Sequence, residues 1–252
     1  VGEFDDSGLM KSFGAAGSGA MSGESIGLIA NRYRSHFLPA DYVFGIWSVI
    51  YLALTAFTVY QALPGAGSRD AVHRLGPWWL VSSALNIAWV SAFSFSHFGI
   101  AMLVMAALLV TLVVIVVRVQ PLADGESAAA RWCVAYPFAI YLAWISVAII
   151  ANTFQYAHVV GWSGFGIAES TWSVVMMAVA TALGLAMVAT RGLWWFPIVV
   201  AWALWGIGAR FATDAALHLP AQLLAALGLT GGAAAWRWRR HVRATATANA
   251  LA

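Results

Sequence analysis

The chain alternates between long apolar runs and short polar breaks. Seven runs, at 43–63, 77–95, 98–119, 130–153, 170–190, 193–210 and 217–238, are each about as long as a helix that crosses a bilayer. The breaks carry turn chemistry: Pro64-Gly65 followed by Gly67-Ser68, Ser96-His97, Pro121 with Asp124-Gly125, a glycine-rich stretch at 161–166, and Arg191-Gly192. Several breaks are very short, which makes consecutive helices antiparallel neighbours. Residues 1–21 hold no run long enough to span and no signal-peptide layout. They read as a tail, and Met21 is a candidate native start. Residues 22–42 read as a polar loop with a short helix near 25–33.

Composition settles the solvent. The chain is 62% hydrophobic and 9% charged, with a mean hydropathy of +0.81. Soluble domains carry about a quarter charged residues, so a chain this poor in charge must turn its outer surface to lipid. The expected fold class is an all-α integral membrane protein, a bundle of about seven transmembrane helices. The net charge of +3 does not mark a nucleic-acid partner. The basic residues sit at helix ends, with one cluster, Arg237, Arg239, Arg240 and Arg243, closing the last apolar run. Cys133 is the single cysteine, which excludes an internal disulfide; no Cys/His metal spacing surrounds it.

Basic residues also set an expected orientation. Seven spans place Lys11, Arg32, Arg34 and Arg210 on one side. Arg69, Arg74, Arg118, Arg131, Arg191, Arg237, Arg239, Arg240 and Arg243 fall on the other. The richer side should be cytoplasmic, with the C-terminus inside and residues 1–42 outside. A multi-pass protein of a bacterial inner membrane fits this distribution.

Candidate chemistry lies in the aromatic and amide residues. Of 14 tryptophans, Trp78, Trp79, Trp194, Trp195, Trp236 and Trp238 fall near run ends, where interfacial belts account for them. Trp47, Trp89, Trp144, Trp202 and Trp205 fall inside runs. They either fill the bundle interior or wall a site for a flat apolar ligand. Asn86 and Asn152 lie deep in apolar runs, where an amide needs partners. Asn86 and Trp89 share a helix face, as do Tyr141 and Trp144, Trp144 and Asn152, and Trp47 and Tyr51. These stripes are either helix-to-helix glue or a binding site. Trp78-Trp79 with Trp89, and Trp194-Trp195 with Trp205, repeat one spacing, as a duplication or two separate belts would. Arg210 and Asp214, four apart, could pair locally, and His158 could ligate a haem iron or a chlorophyll magnesium.

Three segments resemble a known family. Residues 39–51 read Pro-Ala-Asp-Tyr-Val-Phe-Gly-Ile-Trp-Ser-Val-Ile-Tyr. Residues 85–89 read Leu-Asn-Ile-Ala-Trp, and 141–146 read Tyr-Leu-Ala-Trp-Ile-Ser with Asn152 eight after Trp144. In order and spacing they are similar to the second, third and fifth helices of the TspO/MBR family, the tryptophan-rich sensory proteins. Residues 21–41 resemble the loop that caps that family's pocket. The chain departs from the pattern in three ways. A proline is missing between Gly45 and Trp47, another is displaced to Pro137, and no Lys or Arg follows Asn152 before Arg191. The last departure removes the sterol-recognition pattern.

The resemblance implies a division into a tail and cap loop (1–42), a TspO-like four-helix portion (43–153), three additional transmembrane helices (154–238) and a basic cytoplasmic tail (239–252). It further implies a receptor, sensor or carrier whose pocket takes a porphyrin, haem or a related flat pigment, lined by Trp47, Tyr51, Asn86, Trp89, Tyr141, Trp144 and Asn152. No metal site is expected. No acid–base constellation suggests catalysis, so a porphyrin-degrading enzyme would depend on aromatic residues with light or oxygen. An accessory subunit of a larger pigment–protein or respiratory complex is the other alternative, and a homodimer or larger complex would be the partner beside the bilayer itself.

Overall fold

The computed structural model describes residues 26–33, 35–124 and 127–251. Among them there are helices and turns and no strand. The expectations for residues 1–21 lie outside the described residues. A short helix α1, Ile26–Arg32, opens the cap loop where one was expected, and the loop ends in a 3-10 turn, Asp41–Gly45. Then come α2 (Ile46–Ala62), α3 (Ala66–Leu75), α4 (Trp78–Ser94) and α5 (Phe98–Asp124). Residues Ala128–Ala130 and a wide turn, Arg131–Ala135, lead into α6 (Tyr136–Val159). Helices α7 (Glu169–Arg191), α8 (Trp195–Arg210) and α9 (Ala215–Leu251) complete the chain.

Each of the seven apolar runs forms a helix. Five helical stretches, Asp41–Ala62, Phe98–Pro121, Ala128–Val159, Glu169–Arg191 and Ala215–Thr245, are long and apolar enough to cross a membrane. The other two are short. At 17 and 16 residues, α4 and α8 rise only about 24–26 Å against a hydrocarbon core of about 30 Å.

Three boundaries differ from the sequence reading, each for a local reason. The break at 64–77 is a helix, α3, because it is amphipathic. Ala71 and Leu75 are fully buried on one side, while Arg74 donates to Asp70 at 2.8 Å across one turn on the other. The fourth helical stretch runs unbroken from Ala128, through the wide turn at Arg131–Ala135, to Val159, so His158 sits in its last turn rather than in a loop. Helix α9 does not end at the last apolar run but continues to Leu251, through the basic tail.

Helices α7, α8 and α9 pack as one group, α4 packs on α5, and α6 is the hinge between them, lying against α5 and α8. Small residues allow the close approach in the first group. A Cβ added at Gly184 would stand 3.3 Å from the Pro197 backbone, and one at Gly232 would stand 2.9 Å from Pro197 Cγ. Much of the arginine-rich chemistry gathers at one end of the bundle. There Arg118 reaches the Arg74 carbonyl, Arg239 reaches the Ala189 and Thr190 carbonyls at the C-terminus of α7, and Arg240 lies over Trp236.

The cap loop lies at the opposite end. The Ala40 N–H donates to the Gly206 carbonyl at 3.0 Å, and the Trp202 indole donates to the Val43 carbonyl at 3.2 Å. Gly206 permits this seat, because a methyl there would overlap the stiff, branched Val43 side chain. Gly206→Ala should therefore lower stability in detergent by about 1–3 kcal/mol. Gly228→Ala, whose added methyl would meet nothing closer than 3.7 Å, should leave it nearly unchanged. Equal melting curves for the two variants would show that the loop does not seat on α8.

Candidate functional site

Trp47, on the first turn of α2, is the centre of the interior. Its ring stacks on Tyr51 at 5.6 Å and on Trp89 of α4 at 5.5 Å. It meets Tyr141 and Trp144 of α6 edge-on at 6.1 and 6.2 Å. Stacked and edge-to-face pairs at these distances are the favoured geometries for aromatic rings. One side chain thus joins three helices. The four-residue step from Trp47 to Tyr51, and the three-residue steps from Trp89 back to Asn86 and from Trp144 back to Tyr141, place the second member of each pair one turn deeper.

Those deeper residues make a polar floor. The Tyr51 hydroxyl donates to Asn86 Oδ1 at 3.3 Å. The Tyr141 hydroxyl lies within electrostatic reach of both, yet meets no hydrogen-bond geometry. Asn152 stands apart from this floor, near the cap, and its amide donates to the Met105 sulfur at 3.2 Å. A thioether is a weak acceptor, so that buried amide is poorly satisfied. Four other buried polar atoms here have no partner: Asn86 Nδ2, Trp89 Nε1, Tyr141 Oη and Trp144 Nε1. Each such group costs about 1–3 kcal/mol when left unpaired.

Above the tryptophan layer, beneath the cap loop, is a hollow of about 30 Å³. That is room for one or two waters. Trp47, Trp89, Trp144 and Asn152 line it; Tyr51, Asn86 and Tyr141 lie below it. The structure thus brings all seven candidates to one region, in two layers. It also adds residues the sequence reading passed over. Phe93 and Gln155 line the hollow, and both were within reach of helical spacing, four after Trp89 and three after Asn152. Phe37, Leu38 and Phe44 of the cap and Ala203 and Ile207 of α8 line it too. No local pattern marks these, since they arrive from distant parts of the chain.

Two interior tryptophans do not join the wall. Trp202 is 41% and Trp205 56% exposed, both facing out of the bundle. Helix α8 turns its small residues, Ala203 and Gly206, inward instead. The matched spacing of Trp89 and Trp205 places one ring inside the bundle and the other on its outer face.

The lid is fastened by charge. Arg210, at the end of α8, donates to the Pro39 carbonyl at 3.0 Å, approaches Asp41 at 3.5 Å and bonds Asn31 Oδ1. Asn31 in turn donates to Asp41 at 2.8 Å. The local pairing of Arg210 with Asp214 gives way to this arrangement, and Asp214 instead accepts from the Ala216 N–H at the start of α9. On the other side, Glu169 accepts the His36 backbone N–H at 2.8 Å and faces the His36 ring at 3.2 Å. Phe37 stacks on Phe154 at 5.5 Å, and Tyr33 meets Phe98 edge-on at 4.7 Å.

Fold and site together define a multi-pass α-helical membrane protein with a capped, aromatic interior hollow. A family model described as TSPO-like protein matches residues 12–235. The chain belongs to that family, and the match runs through α7 and α8 and most of the apolar part of α9. No curated protein and no solved structure matches it. Membership points to a membrane sensor or binding protein in general.

Arg210→Ala should free the cap while leaving the helices intact. Limited proteolysis should then cut within residues 33–41 at least tenfold faster, with a stability loss of about 1–3 kcal/mol. Unchanged cleavage would show that the apolar contacts alone hold the loop.

Proposed function

We propose that the chain binds a flat, apolar molecule of the tetrapyrrole type between the cap loop and the Trp47–Trp89–Trp144 layer, acting as a receptor or carrier. The observation that carries this reading is the group of unpartnered donors among stacked rings. Trp89 and Trp144 face the hollow with buried indole nitrogens that nothing accepts, and Asn86 and Tyr141 leave further polar atoms unpaired below. A planar ligand with ring nitrogens or carboxylates would accept those bonds and replace ring-to-ring stacking with ring-to-ligand stacking. Interiors without such a use rarely leave several neighbouring groups unpaired.

The hollow is too small for such a ligand as it stands, so admission requires the cap to lift. Its fastenings suit that role. Polar contacts of Arg210 with Asp41 and of Glu169 with His36 sit at its two edges, around an apolar underside that includes Phe37, Leu38 and Val43. Closure then excludes water from the bound molecule. The arginine-rich end lies opposite, which supports a cytoplasmic C-terminus and a cap on the outer face of a bacterial inner membrane.

The test is a titration of protoporphyrin IX into detergent-solubilised protein, followed by tryptophan quenching. Saturable binding is expected, weakened at least tenfold by Trp89→Ala and by Trp144→Ala. Quenching that is indifferent to both substitutions would remove this site from consideration.

A further inference from the structure

A second and much larger cavity, about 520 Å³, lies between α6 and α7 at the cap end of the bundle. It exists because these helices diverge. Each packs closely elsewhere, α6 on α5 and α8, α7 on α8 and α9, and they touch each other only lightly. The loop joining them, residues 160–168, closes one end. That loop is built rather than slack. Gly161, Gly164 and Gly166 take left-handed conformations, and Phe165 does as well at φ 56°. The Trp172 indole pins it by donating to the Gly164 carbonyl at 3.0 Å.

The lining is chemically lopsided. Ile149, Ile150, Phe154 and Met176 make an apolar trough. At the loop end stand Trp162 and Trp172, their rings 5.9 Å apart, with Glu169 beside them. Among the described residues, Glu169 is the only formally charged side chain of the wall, with His158 as its other titratable group, and no Lys or Arg lines it. His36 approaches Glu169 from the cap loop. A carboxylate offers about four acceptor positions, so two contacts from His36 leave capacity for another partner.

We propose that this cavity binds a lipophilic organic cation, an onium or protonated amine with an aromatic or aliphatic body, entering from the surrounding lipid. Aromatic faces beside a carboxylate are the recognition chemistry of such cations. The apolar trough takes the body, and the volume is that of a site for a drug-sized molecule. An anionic amphiphile would meet Glu169 with no Lys or Arg among the described lining residues to offset it. The site is separate from the capped hollow. It shares none of the lining residues of that hollow, and touches the same lid through the Glu169–His36 pair and the stack of Phe154 on Phe37.

Two ions of the same shape and opposite charge test this. Tetraphenylphosphonium and tetraphenylborate are titrated calorimetrically into the purified full chain, with empty micelles as the blank. The phosphonium should bind one per chain, and the borate should show only micelle partitioning. Glu169→Gln should weaken the phosphonium at least tenfold. His36→Ala disturbs the same cap contact but leaves the carboxylate, so it should bind at least as tightly as the unaltered chain. Trp89→Ala should bind unchanged, which keeps this result apart from the fate of the porphyrin reading. Equal binding of both ions, no phosphonium binding, a loss with His36→Ala as large as with Glu169→Gln, or a loss with Trp89→Ala would each overturn the proposal.

Discussion

The interior depends on the contact of Trp47 with four other rings. In lipid, apolar side chains gain little by leaving the solvent, because the solvent is as apolar as they are. Helix association must then come from close packing and from contacts with direction. A tryptophan that stacks on Tyr51 and Trp89 and meets Tyr141 and Trp144 edge-on supplies both. Helices α2 and α4 meet through such side chains, including the Tyr51–Asn86 bond. Removing the ring would leave α2 attached to that interior chiefly through smaller side chains.

That contact also explains the polar groups left unpaired. The large rings stand between the helices, and Asn86 Nδ2, Tyr141 Oη and the two indole nitrogens are buried among them without a hydrogen-bond partner of good geometry. A bundle held by small residues brings backbones together instead. The group of α7, α8 and α9 is of this kind, with Gly184 and Gly232 against Pro197. The molecule thus combines a tightly packed group with an aromatic one that retains a hollow. The hollow lies along α6, the helix that touches both.

How much of this was legible in the sequence follows the range of the interactions. Helix positions and the two-layer arrangement of Trp47, Tyr51, Asn86, Trp89, Tyr141 and Trp144 rest on steps of three and four residues, which a helix makes neighbours. The all-helical membrane class rests on composition. The amphipathic α3 escaped notice because glycine and proline at 64–67 mask its start, although its Ala71–Leu75 spacing was there to be read. The outward turn of Trp202 and Trp205 was not legible. A run that is apolar all round does not say which side faces lipid, and the decision fell to Gly206, whose missing side chain lets the cap approach. The Arg210 fastening was hidden for a related reason. Its partners Asn31, Pro39 and Asp41 lie some 170 residues away, and a local partner in Asp214 looked sufficient.

The cap loop ties these features together. Arg210 holds one edge of the loop and Glu169 the other. Both belong to helices beyond the segments that carry the TspO/MBR resemblance, so α7 and α8 are part of the lid's fastening. Their ends add charged contacts to the loop's apolar anchors, Ile26, Ile29, Phe37, Leu38 and Val43. Glu169 has a second position as well, in the wall of the larger cavity. A cation seated in that cavity would therefore share one carboxylate with a fastening of the cap. On the proposal made above, occupancy of the lateral cavity and closure of the cap would be coupled through Glu169 and through Phe154, which stacks on Phe37, and by linkage such coupling runs equally in both directions.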